Sequence, residues 1–274
     1  MGQRPKVAVS VPEGSPAALI LPGMSLNASI FPSLPVPTID AVFNRRPPPG
    51  AGSAGGNPMD PYAMALDALL ATERWRSATR RLVIGHSFGG MLAMHWWLRR
   101  VGDAEGRIDG MVLVGTTAGP MFDVVRVRVA QLGPVEWRVP VAPFMALWDT
   151  AFVTQAMDAL LSSGGGAVEA VDFRTLRRQT DLAIGLAGWR GTNWEARRAF
   201  RAAMRGFDVR RQLAAITVPT IVLHGARDRL LPPDSARVLA AGLPDADLRI
   251  VPDAGHLLPL THGSLIEAAV RDLL

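Results

Sequence analysis

The chain has 274 residues, of which 49% are hydrophobic and 19% charged, a balance typical of a globular protein and unlike that of a disordered chain. Cysteine is absent, which excludes disulfide scaffolds, thiol nucleophiles, iron–sulfur clusters and thiolate zinc sites. The 29 basic residues exceed the 24 acidic ones by only five, and no basic patch is interleaved with aromatic residues. We therefore expect no nucleic-acid partner.

Short apolar runs bounded by Gly and Pro alternate with longer amphipathic stretches, a pattern typical of βα units. The runs predict parallel strands at residues 17–21, 38–43, 81–84, 111–114, 220–223 and 248–251, and residues 6–11 alternate like an edge strand. Helical spacing predicts helices at residues 61–75, 89–101, 234–242 and 264–274. The predicted fold class is α/β, with a mostly parallel central sheet flanked by helices.

Residues 119–214 break this alternation. They carry helical periodicity, four of the seven tryptophans and no convincing strand pattern. We therefore predict an all-helical insertion that forms a lid or cap, while residues 1–118 and 215–274 form the α/β core.

No segment reads as a membrane span or a leader. The longest stretch without charge, residues 14–39, contains five prolines, so it does not predict a transmembrane helix. The first residues lack an apolar segment followed by a cleavage site of small residues. A cytoplasmic location is therefore expected.

One pentapeptide carries the strongest chemical signal. Gly85-His86-Ser87-Phe88-Gly89 follows an apolar run and precedes a helical pattern. A nucleophile elbow needs this context, because a sharp turn must lift the Ser87 hydroxyl above the sheet while the flanking glycines let the backbone pass. The alternative is a glycine-rich turn with an incidental serine.

A serine hydroxyl needs a base, and the base needs an orienting carboxylate. Asp228 follows the predicted strand at 220–223, and His256 follows the strand at 248–251. Ser87, Asp228 and His256 thus each follow a strand. Because the loops after parallel strands lie at one edge of the sheet, the three side chains can converge there. Asp253 is the weaker alternative for the acid.

With these motifs, nearly the whole chain apart from the insertion resembles the α/β-hydrolase superfamily. The resemblance implies that Ser87 is the nucleophile, Asp228 the acid and His256 the base. It also implies an oxyanion hole formed by the backbone N–H groups of Phe88 and Met24, the latter in the loop after the strand at 17–21. Pro22 stands where the family commonly has histidine, and a simple Pro22-Gly23 turn is the alternative interpretation of this loop.

The remaining histidines are interpreted as structural. His86, His95 and His224 adjoin predicted strands or helices, and His262 lacks further residues at metal-ligand spacing. We therefore predict neither a metal nor a cofactor.

The insertion supplies candidate substrate contacts. Large apolar side chains suited to an acyl chain are Trp137, Phe144, Trp148 and Phe152, although packing of the lid on the core would explain each equally well. Residues 174–211 contain ten arginines and three acidic residues, a local balance of +7. This basic face could steer an acyl carrier protein or a coenzyme A thioester, and a solvated helical face is the simpler interpretation.

The predicted function is a serine hydrolase that cleaves a small-molecule carboxylic ester or an acyl thioester. A C–C hydrolase, a cofactor-free perhydrolase and an acyltransferase are alternatives on the same scaffold, because they share the nucleophile. A ligand-binding protein without catalysis is the alternative of another class.

Overall fold

A computed structural model of the chain describes residues 14–24, 26–43, 46–52, 55–101, 108–120, 125–128, 136–139, 194–228 and 231–274. The strands are β1 (Ala17–Leu21), β2 (Thr38–Asp40), β3 (Arg81–His86), β4 (Gly110–Val114), β5 (Val125–Arg128), β6 (Glu136–Val139), β7 (Thr220–Gly225) and β8 (Ala246–Val251). Six of them form one sheet in the order β2-β1-β3-β4-β7-β8, and every neighbouring pair is parallel. The predicted parallel sheet is confirmed.

The helices are α1 (Asp60–Leu70), α2 (Glu73–Arg76), α3 (Phe88–Arg99), α4 (Trp194–Arg205), α5 (Pro233–Gly242), α6 (Leu258–Thr261) and α7 (Gly263–Asp272). Short 3-10 turns occupy Ala28–Ile30 and Arg210–Ala215. The helix predicted at residues 61–75 is divided, because α1 ends at Leu70 and α2 begins at Glu73. The other three predicted helices are present within two residues of the expected bounds.

Both faces of the sheet are covered, which explains why its central strands read as continuous apolar runs. In β1, Leu19 and Leu21 point into a core with α1, α3, α4 and α5, whereas Ala18 and Ile20 point into a second core that contains α7. This alternation follows from the two-residue period of a strand. All five residues of β1 are buried.

The order of the strands creates a crevice at one edge. After β1 the chain passes to β2 on one side, and it then returns to place β3 on the other side of β1. Loops that leave neighbouring strands in opposite directions open a crevice at the carboxyl ends, where open α/β sheets bind ligands. The loops after β1 and β3 contain Met24 and Ser87.

The insertion differs from the prediction. Residues 125–128 and 136–139 form an antiparallel strand pair, so the expectation of an all-helical insertion is wrong there. The sequence Val-Arg-Val-Arg of β5 alternates with the period of a strand, and this local pattern prevails over the helical spacing around it. The strand predicted at residues 6–11 lies outside the described residues.

The last helix of the insertion packs on the core. Phe200, Ala203 and Met204 of α4 are buried in the same cluster as α3. The division into a core of residues 1–118 and 215–274 and a lid of residues 119–214 stays a prediction.

Candidate active site

Ser87 lies on a strained turn between β3 and α3. Its φ is 52° and its ψ is −119°. Among the residues that the structure describes, it is the only non-glycine residue with a positive φ. Such a backbone conformation costs about 1–3 kcal/mol and is found mostly at functional sites. Two hydrogen bonds hold the turn: Ser87 N–H donates to Val114 O at 2.9 Å, and the Thr116 hydroxyl donates to Ser87 O at 2.7 Å.

The glycines of the pentapeptide are required by close approach of the backbone. A Cβ on Gly85 would lie 2.6 Å from the Cα of Gly90, and a Cβ on Gly89 would lie 1.9 Å from Leu21 O. Any side chain at these positions would push α3 away from β1 and β3. The Gly-x-Ser-x-Gly spacing therefore follows from the packing of this helix on the sheet.

Loops that are distant in sequence bring two further side chains to Ser87. His256 Nε2 lies 3.0 Å from Ser87 Oγ, and His256 Nδ1 lies 2.8 Å from Asp228 Oδ2. All three residues are buried, with 4–5% of their surface exposed. In this chain of hydrogen bonds, the Ser87 hydroxyl donates to Nε2 while Nδ1–H donates to the carboxylate.

The Asp228 carboxylate is anchored at both oxygens. Its Oδ1 accepts a hydrogen bond from Leu231 N–H at 2.8 Å, while Oδ2 faces His256. Burial alone would raise the pKa of Asp228, but the charge and hydrogen bond of His256 and the Leu231 N–H together lower it below its usual value. Asp228 is therefore ionised at neutral pH.

Asp253, the alternative acid, contacts another histidine. Its Oδ1 lies 3.2 Å from His262 Nε2. The hydrogen bond to His256 is thus made by Asp228.

Three other histidines have identifiable partners. His86 Nε2–H donates to His256 O, and His224 Nε2–H donates to Leu231 O, each at 2.8 Å. His95, on α3, lies 2.8 Å from Asp60 Oδ1, away from Ser87. Burial lowers the pKa of all three, that of His86 to about 3, where proximity to His256 adds to the effect. His86 and His224 are therefore neutral at physiological pH.

The loop after β1 lies directly against the serine turn. A Cβ on Gly23 would lie 3.1 Å from Ser87 Cβ, and Leu26 N–H donates to Gly23 O at 3.1 Å. Met24, the next residue of this loop, is partly buried and packs against the core cluster that contains Phe88. Phe88 is the first residue of α3, and the first N–H groups of a helix have no acceptor within that helix.

An apolar pocket opens beside Phe88. It contains about 230 Å³ of unfilled space, part of which is open to solvent. It is lined by Leu21, Pro22, Gly23, Leu26, Ala41, Phe43, Phe88, Leu92 and Phe200. Behind the pocket, the Tyr62 ring lies 5.3 Å from the rings of Phe43 and Phe88 and stacks at 5.6 Å on Phe200.

These pocket residues differ from those expected. Trp137 lies in β6, and Phe144, Trp148 and Phe152 lie outside the described residues. Phe43 and Phe200 were missed, since no local pattern joins a residue just after β2 to the middle of α4. Only the spacing of Phe200 with the buried Ala196, Ala199 and Ala203 could have indicated an inward-facing side chain.

The basic stretch is described only in its last part. In α4, Arg198 and Arg205 are exposed, whereas Arg201 is buried. Further along, Arg211 is exposed, and Arg210 forms an ion pair with Asp208 at 2.5 Å.

Within the described ranges, no group of three or more His, Asp or Glu side chains is arranged to hold a metal ion. No helix in the same part of the chain is long and apolar enough to cross a membrane.

An open parallel sheet with a strained serine turn between a strand and a helix is the arrangement that α/β hydrolases share. A family model described as the alpha/beta hydrolase fold matches residues 52–263 of the 274. The chain therefore belongs to the α/β hydrolase fold family.

Individual relatives fall within this class. The chain is 28% identical over 193 residues to "Putative carbamate hydrolase RutD" of Variovorax paradoxus, a match covering 70% of this chain and 65% of that protein. It is 29% identical over 184 residues to a pimeloyl-[acyl-carrier protein] methyl ester esterase of Chromobacterium violaceum, covering 66% and 64%. The chain thus spans just under two thirds of each relative's length. An enol-lactonase of Burkholderia xenovorans LB400 shares the fold, with a TM-score of 0.69, 17% identity and coverage of 95% and 91%.

Proposed function

We propose that the protein is a serine hydrolase that cleaves a carboxylic ester, or an acyl thioester, with Ser87 as nucleophile, His256 as base and Asp228 as acid. The observation that carries this proposal is the unbroken hydrogen-bonded chain from Ser87 Oγ through both nitrogens of His256 to Asp228 Oδ2. A buried, ionised carboxylate orients the imidazole and stabilises its cation.

The reaction has two halves. Ser87 Oγ attacks the acyl carbon while its proton passes to His256 Nε2, and the imidazolium then protonates the departing alcohol or thiol. This leaves an acyl ester on Ser87. A water molecule next gives its proton to His256 and attacks that ester, and His256 returns a proton to Ser87 Oγ as the carboxylic acid departs.

The oxyanion of both tetrahedral intermediates is assigned to the backbone N–H groups of Phe88 and Met24. The start of α3 supports the Phe88 donor, and the contact of Gly23 with Ser87 supports a donor from the adjacent loop. β1 ends at Leu21, directly before Pro22, and the next residue, Gly23, lies against Ser87.

The substrate is assigned an apolar acyl group. The side chains that line the pocket beside Phe88 are aromatic, such as Phe43 and Phe200, or aliphatic, which suits an apolar acyl group. The names of the relatives, a carbamate hydrolase and a methyl ester esterase, both denote cleavage at an acyl carbon.

An acyl carrier protein is the proposed macromolecular partner. The related pimeloyl ester esterase is named for a carrier-bound substrate, and the exposed Arg198, Arg205 and Arg211 would favour an acidic carrier. A cytoplasmic location is consistent with such a partner and stays a proposal.

Labelling with a fluorophosphonate probe tests the catalytic assignment. We expect a single adduct on Ser87 by intact-protein mass spectrometry and none in the Ser87→Ala variant. A panel of p-nitrophenyl esters and acyl thioesters then reports acyl-chain preference. A folded protein that gives no adduct, or hydrolyses the panel equally well after Ser87→Ala, would refute the proposal.

A further inference from the structure

A second hydrogen bond runs beside the one between Ser87 and His256. His86, the residue before Ser87, directs its Nε2–H to the backbone carbonyl of His256 at 2.8 Å. Its ring is completely buried, and its centroid lies 5.0 Å from that of the His256 ring. Two adjacent residues of the elbow therefore contact His256. Ser87 contacts its side chain, and His86 contacts its backbone carbonyl.

This hydrogen bond links the base, His256, directly to His86 at the end of β3, next to the nucleophile. His256 lies 169 residues from Ser87, in the loop between β8 and α6. Without another restraint, movement of this loop would change the distance between Oγ and Nε2. The His86 bond holds the His256 backbone close to the end of β3, in addition to the contact that the His256 ring makes with Asp228.

The surroundings of His86 keep this bond in one state. The donor must be Nε2–H because it faces a carbonyl oxygen, so Nδ1 is the unprotonated nitrogen. Nδ1 is buried, has no hydrogen-bond partner in the described residues and lies against Gly23. Protonation there would place an unpaired charge among buried groups, so the ring of His86 stays neutral.

We infer that His86 is a positioning residue that sets the geometry between Ser87 and His256 by tying the His256 carbonyl to the nucleophile elbow. The inference rests on the proposed function. It assigns a role to the unspecified position before the serine in the Gly-x-Ser-x-Gly pattern: the side chain there carries a hydrogen-bond donor at about the reach of histidine Nε2. Side chains that keep such a donor should preserve reactivity, and those that lose it should not.

Three variants separate the donor from the volume of the side chain. His86→Gln keeps an amide N–H at about the reach of Nε2, His86→Asn places the amide near the position of Nδ1, and His86→Leu has no donor. His95→Gln is the matched control, because His95 is a buried, hydrogen-bonded histidine on α3 that lies away from the site. The measurements are the rate constant for fluorophosphonate labelling of Ser87, kcat and KM for p-nitrophenyl acetate, and the Tm of each variant.

We expect His86→Asn and His86→Leu to lower the labelling rate and kcat by about 10- to 100-fold with little change in KM, as for a misplaced catalytic group. His86→Gln should restore most of the rate. His95→Gln should lower the Tm without changing Ser87 labelling. A difference between the Gln and Asn variants at similar Tm is not expected of a residue that only packs.

Two results would overturn the inference. One is a labelling rate in folded His86→Asn or His86→Leu equal to that of the wild type, and the other is an equal loss in the Gln and Asn variants. Failure of the wild-type protein to label would instead refute the proposed serine chemistry itself. The two failures are therefore distinguishable in one experiment.

Discussion

Replacing Ser87 by glycine or by alanine separates the strain of the elbow from its chemistry. Both substitutions remove the hydroxyl and its hydrogen bond to His256, so this loss is common to the two variants. They differ at Cβ. Alanine keeps a Cβ on a backbone whose φ is 52°, whereas glycine has none. The difference in stability between the variants therefore measures the strain of a side chain at this position.

The magnitude follows from two opposing effects. Relief of an unfavourable backbone conformation is worth about 1–3 kcal/mol, while glycine loses about 0.5–1 kcal/mol through the greater freedom of its unfolded chain. Ser87→Gly should therefore be more stable than Ser87→Ala by about 1–2 kcal/mol. For a chain of this length, each kcal/mol raises the Tm by about 2–4 °C.

The assay is equilibrium unfolding in urea, followed by tryptophan fluorescence, with a parallel thermal melt. We expect a higher midpoint for Ser87→Gly at an unchanged slope, and no turnover in either variant. If Ser87→Ala is as stable as Ser87→Gly, or more so, the backbone at the elbow is not strained.

Activity assays and unfolding experiments test the roles of three further residues. Asp228→Asn should lower kcat by about 10²–10⁴-fold by removing the anion that orients His256, and a larger loss in Asp253→Asn would show that the acid is misassigned. Tyr62→Phe should keep or slightly raise the free energy of unfolding, since the buried hydroxyl has no partner in the described residues; a loss above about 1 kcal/mol would contradict this. Phe200→Ala should shift preference on the ester panel toward longer acyl chains by widening the pocket. Phe31→Ala, in the core on the other face of the sheet, should lower stability without that shift, and an equal shift in both would exclude Phe200 as a wall of the acyl pocket.

The central strands were predictable because their signal is local. β1 has the predicted bounds, and β3, β4 and β7 extend the predicted runs by one or two residues. A strand buried on both faces must be apolar throughout, and the turns after it need Gly or Pro. The elbow is encoded in the same way, since the glycines around Ser87 meet the needs of one strand-turn-helix unit.

The insertion was less predictable because two periodicities compete within it. β5 pairs with β6, and the alternation in each strand is only four residues long. Such a short run does not outweigh the surrounding helical spacing in a sequence-based prediction. The pairing itself joins two segments that are separated in the sequence, so neither segment predicts its partner.

By itself, the sequence determined the class of fold, the strained serine turn and the order in which the three polar residues follow their strands. Only the tertiary structure decided that His256 contacts Asp228 while Asp253 contacts His262. It likewise decided that Phe43 and Phe200 meet at one pocket, and that His86 binds the His256 carbonyl. The reason is physical: a backbone turn is set by the residues within it, whereas a contact between loops depends on how the whole sheet places their ends.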